Sequence, residues 1–117
     1  MGFGEAVTSG FKNLTNFSGR ASRSEFWWYA LVSFIVYIVL VVILQNVLGN
    51  QSTAIIISQL IFALLLIAAG ARRLHDTGKS GWLELLWLIP CVGPIILIIF
   101  WAQAGQPGDN QHGSAPA

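Results

Sequence analysis

The feature that most restricts this chain is a long stretch without charge. From Phe26 to Ala71, 46 residues pass with no Asp, Glu, Lys, Arg or His. A second such stretch runs from Leu85 to Gly108. A soluble domain of 117 residues has too little interior to shield that much apolar surface. A bilayer solvates it directly, and roughly 20 apolar residues of helix cross its core of about 30 Å. The composition agrees, at 55% apolar and 9% charged, where soluble domains carry roughly 25% charged residues. The expected fold is all-α: a single integral membrane domain over 1–117 with three hydrophobic helical segments and a short N-terminal interfacial helix.

The segment boundaries follow from local signals. In residues 1–22, Phe3, Val7, Phe11 and Leu14 are spaced by four, four and three, which is one helical face suited to the membrane surface. The opening "MGFGEAVTSGF" lacks the basic region and apolar core of a signal peptide. Ala6 stands where a myristoylation signal wants Ser or Thr. Ser22-x-x-Glu25 fits a capping box. Ser22 would accept from the Glu25 amide and Glu25 would reach back to the Ser22 amide, starting a first helix over 23–48. Phe26, Trp27, Trp28 and Tyr29 form an aromatic belt at its entry.

After an uncharged turn at 49–52, a second helix is expected over 53–74. Gln59 is its one strongly polar interior residue, and such an amide is expected to hydrogen-bond a neighbouring helix. Ala68, Ala69, Gly70 and Ala71 allow close approach at its end. A polar loop over 75–81 leads to the third apolar stretch, 82–102. Trp82 and Trp101 would stand about 28 Å apart on one continuous helix, the two edges of a hydrocarbon core. Pro90 and Pro94 interrupt it. Either it is one kinked span, or "PCVGP" is the tip of a re-entrant hairpin whose arms are too short to cross. The frequency of proline in membrane helices favours the kinked span. Cys91, the single cysteine, excludes an internal disulfide and reads as a small buried hydrophobe. The tail 103–117 is polar, rich in Gly and Pro, and expected to be flexible and irregular.

Charge placement gives a topology. Lys12, Arg20 and Arg23 precede the first helix, Arg72, Arg73 and Lys79 follow the second, and the turn between them carries none. The positive-inside rule puts the N-terminus and the 75–81 loop in the cytoplasm. Eight of the eleven charged residues then share one interface: Arg20, Arg23, Arg72, Arg73 and Lys79 with Glu25, Asp76 and Glu84, and His75 among them. Glu25 or Glu84 is expected to pair with Arg72 or Arg73. The excess of two positive charges suits anionic phospholipid, at about 1 kcal/mol per nearby basic residue.

Three stretches, "FSGRASRSEFWWY", "RRLHDTGKSGW" and "IPCVGPIILIIFWAQAGQPGDN", resemble the domain of unknown function 805 family of small bacterial inner-membrane proteins. The likeness runs from about Phe11 to Gly113. The family's tail pattern Asn-x-Tyr-Gly-Pro-Asp-Pro becomes Asn110-Gln111-His112-Gly113-Ser114-Ala115-Pro116 here, with His112 for Tyr and no Asp. The resemblance implies a plasma-membrane protein and no established activity.

Sharper chemistry is thinly supported. Gly78-Lys79-Ser80 could suggest a phosphate loop, but Arg73 replaces its first glycine and an apolar helix precedes it. Asp76-Thr77-Gly78 reads instead as a turn, and Ser80 or Gly81 as a helix cap. His75 and Asp76 resemble half a metal site, with His112 distant or across the membrane, and a structural zinc needs about four ligands. His75 reads as a cap on the carbonyls ending the second helix. Glu84 reads as a structural carboxylate at a helix start, with a functional role as the competing view. No catalytic residue, cofactor or nucleic-acid partner is implied. The leading reading is a non-enzymatic interaction or assembly module that meets lipid, a second copy or another membrane protein. The alternatives are a subunit of an oligomeric channel or transporter, with Gln45, Asn46 and Gln59 lining a path, and a lipid-modifying enzyme using Glu84, His75 and Asp76.

Overall fold

The computed structural model describes residues 2–116. Four α-helices follow in order: α1 (Phe3–Lys12), α2 (Arg23–Leu48), α3 (Gln51–Asp76) and α4 (Val92–Ala102). A 3₁₀ segment, Gly81–Leu88, lies between α3 and α4, and no strand occurs among the described residues. Of these elements α2 and α3 are each long and apolar enough to cross a membrane.

The two long helices form an antiparallel pair, and their ends are chemically marked. The Ser22 hydroxyl accepts from the Glu25 amide at 3.2 Å, which starts α2. The other half of the capping box is not made, because the Glu25 carboxylate turns to Arg72 and Ser9. Gly49 closes α2 in the left-handed conformation (φ 67°), where an L side chain is disfavoured. The Asn50 side chain accepts from the Thr53 amide, so α3 begins at Gln51, two residues before the expected start. It also runs to Asp76, two residues past the expected end.

Between the pair, the Tyr29 hydroxyl donates to the Leu65 carbonyl at 2.6 Å, and Phe34 and Tyr37 pack on Phe62. Phe26 and Tyr29 are buried; truncating such a ring typically costs about 3–5 kcal/mol. Ala54 and Ser58 of α3 and Ser33 of α2 are buried too, small residues that let the helices approach. Gln59 departs from expectation. It is exposed and makes no hydrogen bond among the described residues.

Helix α1 packs against the start of α2. Its buried stripe is Ala6 and Gly10, and a Cβ at Gly10 would stand 2.1 Å from the Tyr29 ring. Phe3 and Phe11 flank that stripe and meet Trp28 and Tyr29 edge-on.

Residues 81–102 do not form one kinked helix. Glu84 and Trp101 meet the same glycine of α3: a Cβ at Gly70 would lie 2.0 Å from the Glu84 carboxylate and 3.0 Å from the Trp101 ring. Trp87 and Trp101 have ring centroids 6.1 Å apart. The chain therefore runs out along one arm and back along the other, reversing at Ile89–Cys91. Cys91 has a positive φ there (65°) at the centre of a tight turn closed by the Val92 amide donating to the Pro90 carbonyl, and is exposed, correcting its reading as buried. Eleven α-helical residues rise about 16 Å, roughly half a hydrocarbon core, and eight 3₁₀ residues rise about as much.

The outgoing arm has period three, as 3₁₀ geometry requires. Trp82, Leu85 and Leu88 face outward, at 80%, 58% and 78% exposure. Leu83 and Leu86 pack against the core. Gly81 and Glu84 face α3, Gly81 beside Ala71 and His75, Glu84 at Gly70. Ser80 caps this arm by accepting from the Trp82 amide.

Candidate functional site

The return of the hairpin brings residues 101–113 to the end of α3, where segment 13–22 also lies. Asp76 is the centre of the resulting lock. Its carboxylate takes Arg20 at 3.0 Å on one oxygen and Arg73 at 2.6 Å on the other. Its backbone carbonyl accepts from the Gln106 amide at 2.7 Å. Arg73 has no exposed surface. It donates to the carbonyls of Trp101 at 2.9 Å, Ala21 at 3.2 Å, and Gln103. Trp101 and Gln103 stand at the C-terminal end of α4, whose last carbonyls lack helical partners and favour a cation. Arg20 donates in the same way to the carbonyls of Gln106, Gly108 and Gly113. Two guanidiniums thus share one carboxylate, and backbone oxygens supply the rest of their solvation.

A second pair lies beside the first. Arg72 donates to Glu25 at 2.6 Å, and the Ser9 hydroxyl donates to the same carboxylate oxygen at 3.1 Å. The Arg72 carbonyl accepts from the Ala21 amide, which joins the two pairs through the backbone. His75 binds the Gly19 carbonyl through Nδ1 at 2.9 Å, rather than a carbonyl of its own helix, and stacks on His112 with centroids 3.9 Å apart. His112 is therefore neither distant nor on the far side. Lys79 donates to the Gln103 side chain and sits 4.9 Å from the Phe100 ring centroid. Arg23 is exposed.

The nine residues singled out in the sequence thus divide. Arg20, Glu25, Arg72, Arg73, His75 and Asp76 come together; Lys79 binds the tail; Arg23 stays at the surface; Glu84 joins no ion pair. Arg20, Arg72 and Arg73 are buried. Asp109 arrives at this end between Gly108 and Asn110, which lowers the basic excess from two charges to one. Among the described residues no group of three or more His, Cys, Asp or Glu is placed to hold a metal ion.

The tail is the part that sequence reasoning missed. Gln103, Gln106 and Asn110 fasten it: the Asn110 amide donates to the His75 carbonyl at 2.9 Å, and a Cβ at Gly105 would fall 2.0 Å from Asp76. The available signal was polar residues at short spacing, Gln103, Gln106, Asp109 and Asn110, directly after an apolar run.

Glu84 occupies a different setting. It lies where two cavities meet, of about 500 and 640 Å³, which share Ile67, Glu84 and Leu85. The first opens toward His75, Ser80 and His112. The second runs along α3 between Phe34, Phe62 and Trp87.

Comparison with known proteins places this arrangement. The family described as Protein of unknown function (DUF805) matches residues 14–114. Inner membrane protein YhaH of Escherichia coli (strain K12) is 43% identical over 110 residues, covering 90% of each chain. Inner membrane protein YhaI of the same strain is 38% identical over 106 residues, covering 90% of this chain and 89% of that one. No solved structure matches. The chain belongs to the DUF805 family.

Proposed function

We propose that this member of the DUF805 family is a non-enzymatic assembly module of the bacterial inner membrane. In this reading α2 and α3 cross the bilayer, residues 81–102 enter it and return, and both tails meet on the cytoplasmic side. All six basic residues belong to the charged end and the α2–α3 turn carries none, which the positive-inside rule assigns to the cytoplasm. The relatives named as inner membrane proteins support the location. The 3₁₀ arm and the reversal at Cys91 expose irregular backbone, and α3 covers one side of it.

The observation that carries the non-enzymatic reading is how the charged groups are used. Arg20, Arg73 and Asp76 are engaged with one another and the two arginines with backbone carbonyls, and Arg72 is paired with Glu25, which leaves these groups as a fastening rather than a reaction centre. Contact with a partner then falls to the outer face of α2, where Leu31, Ile35, Ile38 and Val42 are exposed. Lys12 and Arg23, both exposed, remain to meet anionic headgroups.

A photo-crosslinking residue at Ile38 or Val42 tests this in native membranes. The expected product is a discrete protein–protein adduct, while purified protein leaves a total bacterial lipid extract chemically unchanged. Adducts with lipid alone would remove the assembly reading, and turnover of a lipid species would replace it with the enzyme reading.

A further inference from the structure

The geometry points to a binding site, between α3 and the 81–88 arm, for a phospholipid whose headgroup carries a primary ammonium, of the phosphatidylethanolamine class. The inference rests on the bilayer reading above and assigns a ligand to the cavities that the lock does not use.

Two acceptors line the first cavity. Glu84 lines it and has no hydrogen-bond or ionic partner among the described residues. An unpaired carboxylate in an apolar surrounding calls for a counter-cation. The second acceptor is His75. Its Nδ1 faces the Gly19 carbonyl at 2.9 Å, a partner that can only accept, so Nδ1 carries the proton. In the neutral ring Nε2 then presents a lone pair, and it sits on the side of Gly81, 3.1 Å from where a Cβ would be. Gly81 and Glu84 both line this cavity. A primary ammonium brings three N–H donors and a positive charge, the complement of a carboxylate and an imidazole lone pair that line one cavity. The rings of Phe17 and Trp82 also line the cavity and suit a cation.

The second cavity continues from Glu84 along α3 toward Gln59, away from the charged end, lined mainly by Phe34, Phe62, Leu66, Trp87 and Leu88. It is suited to hydrocarbon. The cavity that Glu84 and His75 line lies at the charged end and the other deeper along the helix, the same order as a headgroup and its acyl chain in a leaflet. Both volumes are in the range of small-ligand sites. A quaternary ammonium lacks the N–H donors, and a glycerol headgroup lacks the cation, so the site discriminates among phospholipids.

The test uses the full chain in mixed micelles holding equal amounts of phosphatidylethanolamine, phosphatidylcholine and phosphatidylglycerol, with retained lipid counted by native mass spectrometry after washing. Wild type should retain phosphatidylethanolamine about fivefold over either competitor, the discrimination one charge-assisted contact provides. Glu84→Gln should bring the ratio near one. Ile67→Trp, which narrows the junction at a residue 44% exposed and outside the core, should do the same with an unchanged helical spectrum. Equal retention of the three lipids by wild type, or a preference that survives both variants, overturns the site. A protein without lipid preference that still yields the α2 crosslink loses this inference alone and keeps the assembly reading.

Discussion

Replacing Arg73 with alanine is expected to cost about 3–5 kcal/mol, the penalty for removing one partner from a buried ion pair. The total stability of a domain is of order 5–15 kcal/mol, so the variant should yield little monodisperse protein in detergent. Arg73 has no exposed surface, and its guanidinium reaches Asp76 and the carbonyls of Ala21, Trp101 and Gln103. Truncation strips those three carbonyls of a donor and leaves Asp76 with Arg20 alone. Arg73→Lys should recover only part of the loss, since one ammonium cannot span acceptors arranged around a planar fork. Arg23→Ala is the control: the side chain is exposed, and the change should stay within about 0.5 kcal/mol. Melting midpoints and extraction yields of the three variants decide the matter. Equal behaviour of Arg73→Ala and Arg23→Ala would show that the charged end is not a lock.

Gly93→Ala is the second large effect, expected at about 3 kcal/mol or more because the clash is backbone against side chain with no free rotor. A Cβ at Gly93 would lie 1.6 Å from the carbonyl oxygen of Leu86 and 2.6 Å from its carbon. The two arms must part to admit it. Parting moves Trp101 from Gly70, where its indole donates to the Gly70 carbonyl at 3.2 Å, and with it the tail that follows. The variant should lose the melting cooperativity of wild type and become sensitive to protease between residues 103 and 113. Gly4→Ala, with nothing within 4 Å of the added carbon, should be neutral or slightly stabilising. A Gly93→Ala protein that melts as wild type would mean that the arms do not pack as described.

How far the sequence could be read follows from which atoms make each contact. The helices α2 and α3 were legible because burial in lipid demands long uncharged runs, and because Ser22 and Gly49 mark α2's ends by side-chain chemistry or its absence. The ion pair of Glu25 with Arg72 was legible as charge complementarity across helix ends. The pairing of Asp76 with Arg20 and Arg73 was not singled out, although all three were placed at one interface. The tail was missed because Arg20 and Arg73 bind it mostly through main-chain oxygens, at Gln106, Gly108, Gly113 and Gln103. Every residue carries such an oxygen, so identity gives no signal. The 3₁₀ arm was missed because a period of three over eight residues is rarely sustained and "WLELLWL" is apolar in any register. That same period separates Glu84 from the arginines. It carries the carboxylate onto the Gly70 face, where proximity in sequence to "RRLHDTGKSGW" gives no hint of its isolation.

The central claim is that the chain turns back after Cys91, so that its tail shares a side with its first helix. Single cysteines at Ser18 and Ser114, with Cys91 replaced by serine, test it most directly through a membrane-impermeant maleimide. A third cysteine at Gln51 reports the opposite side. Both end positions should label only in inside-out vesicles, and position 51 only in intact spheroplasts. Labelling of position 114 in spheroplasts, with position 18 protected, would mean a third crossing and would contradict the account.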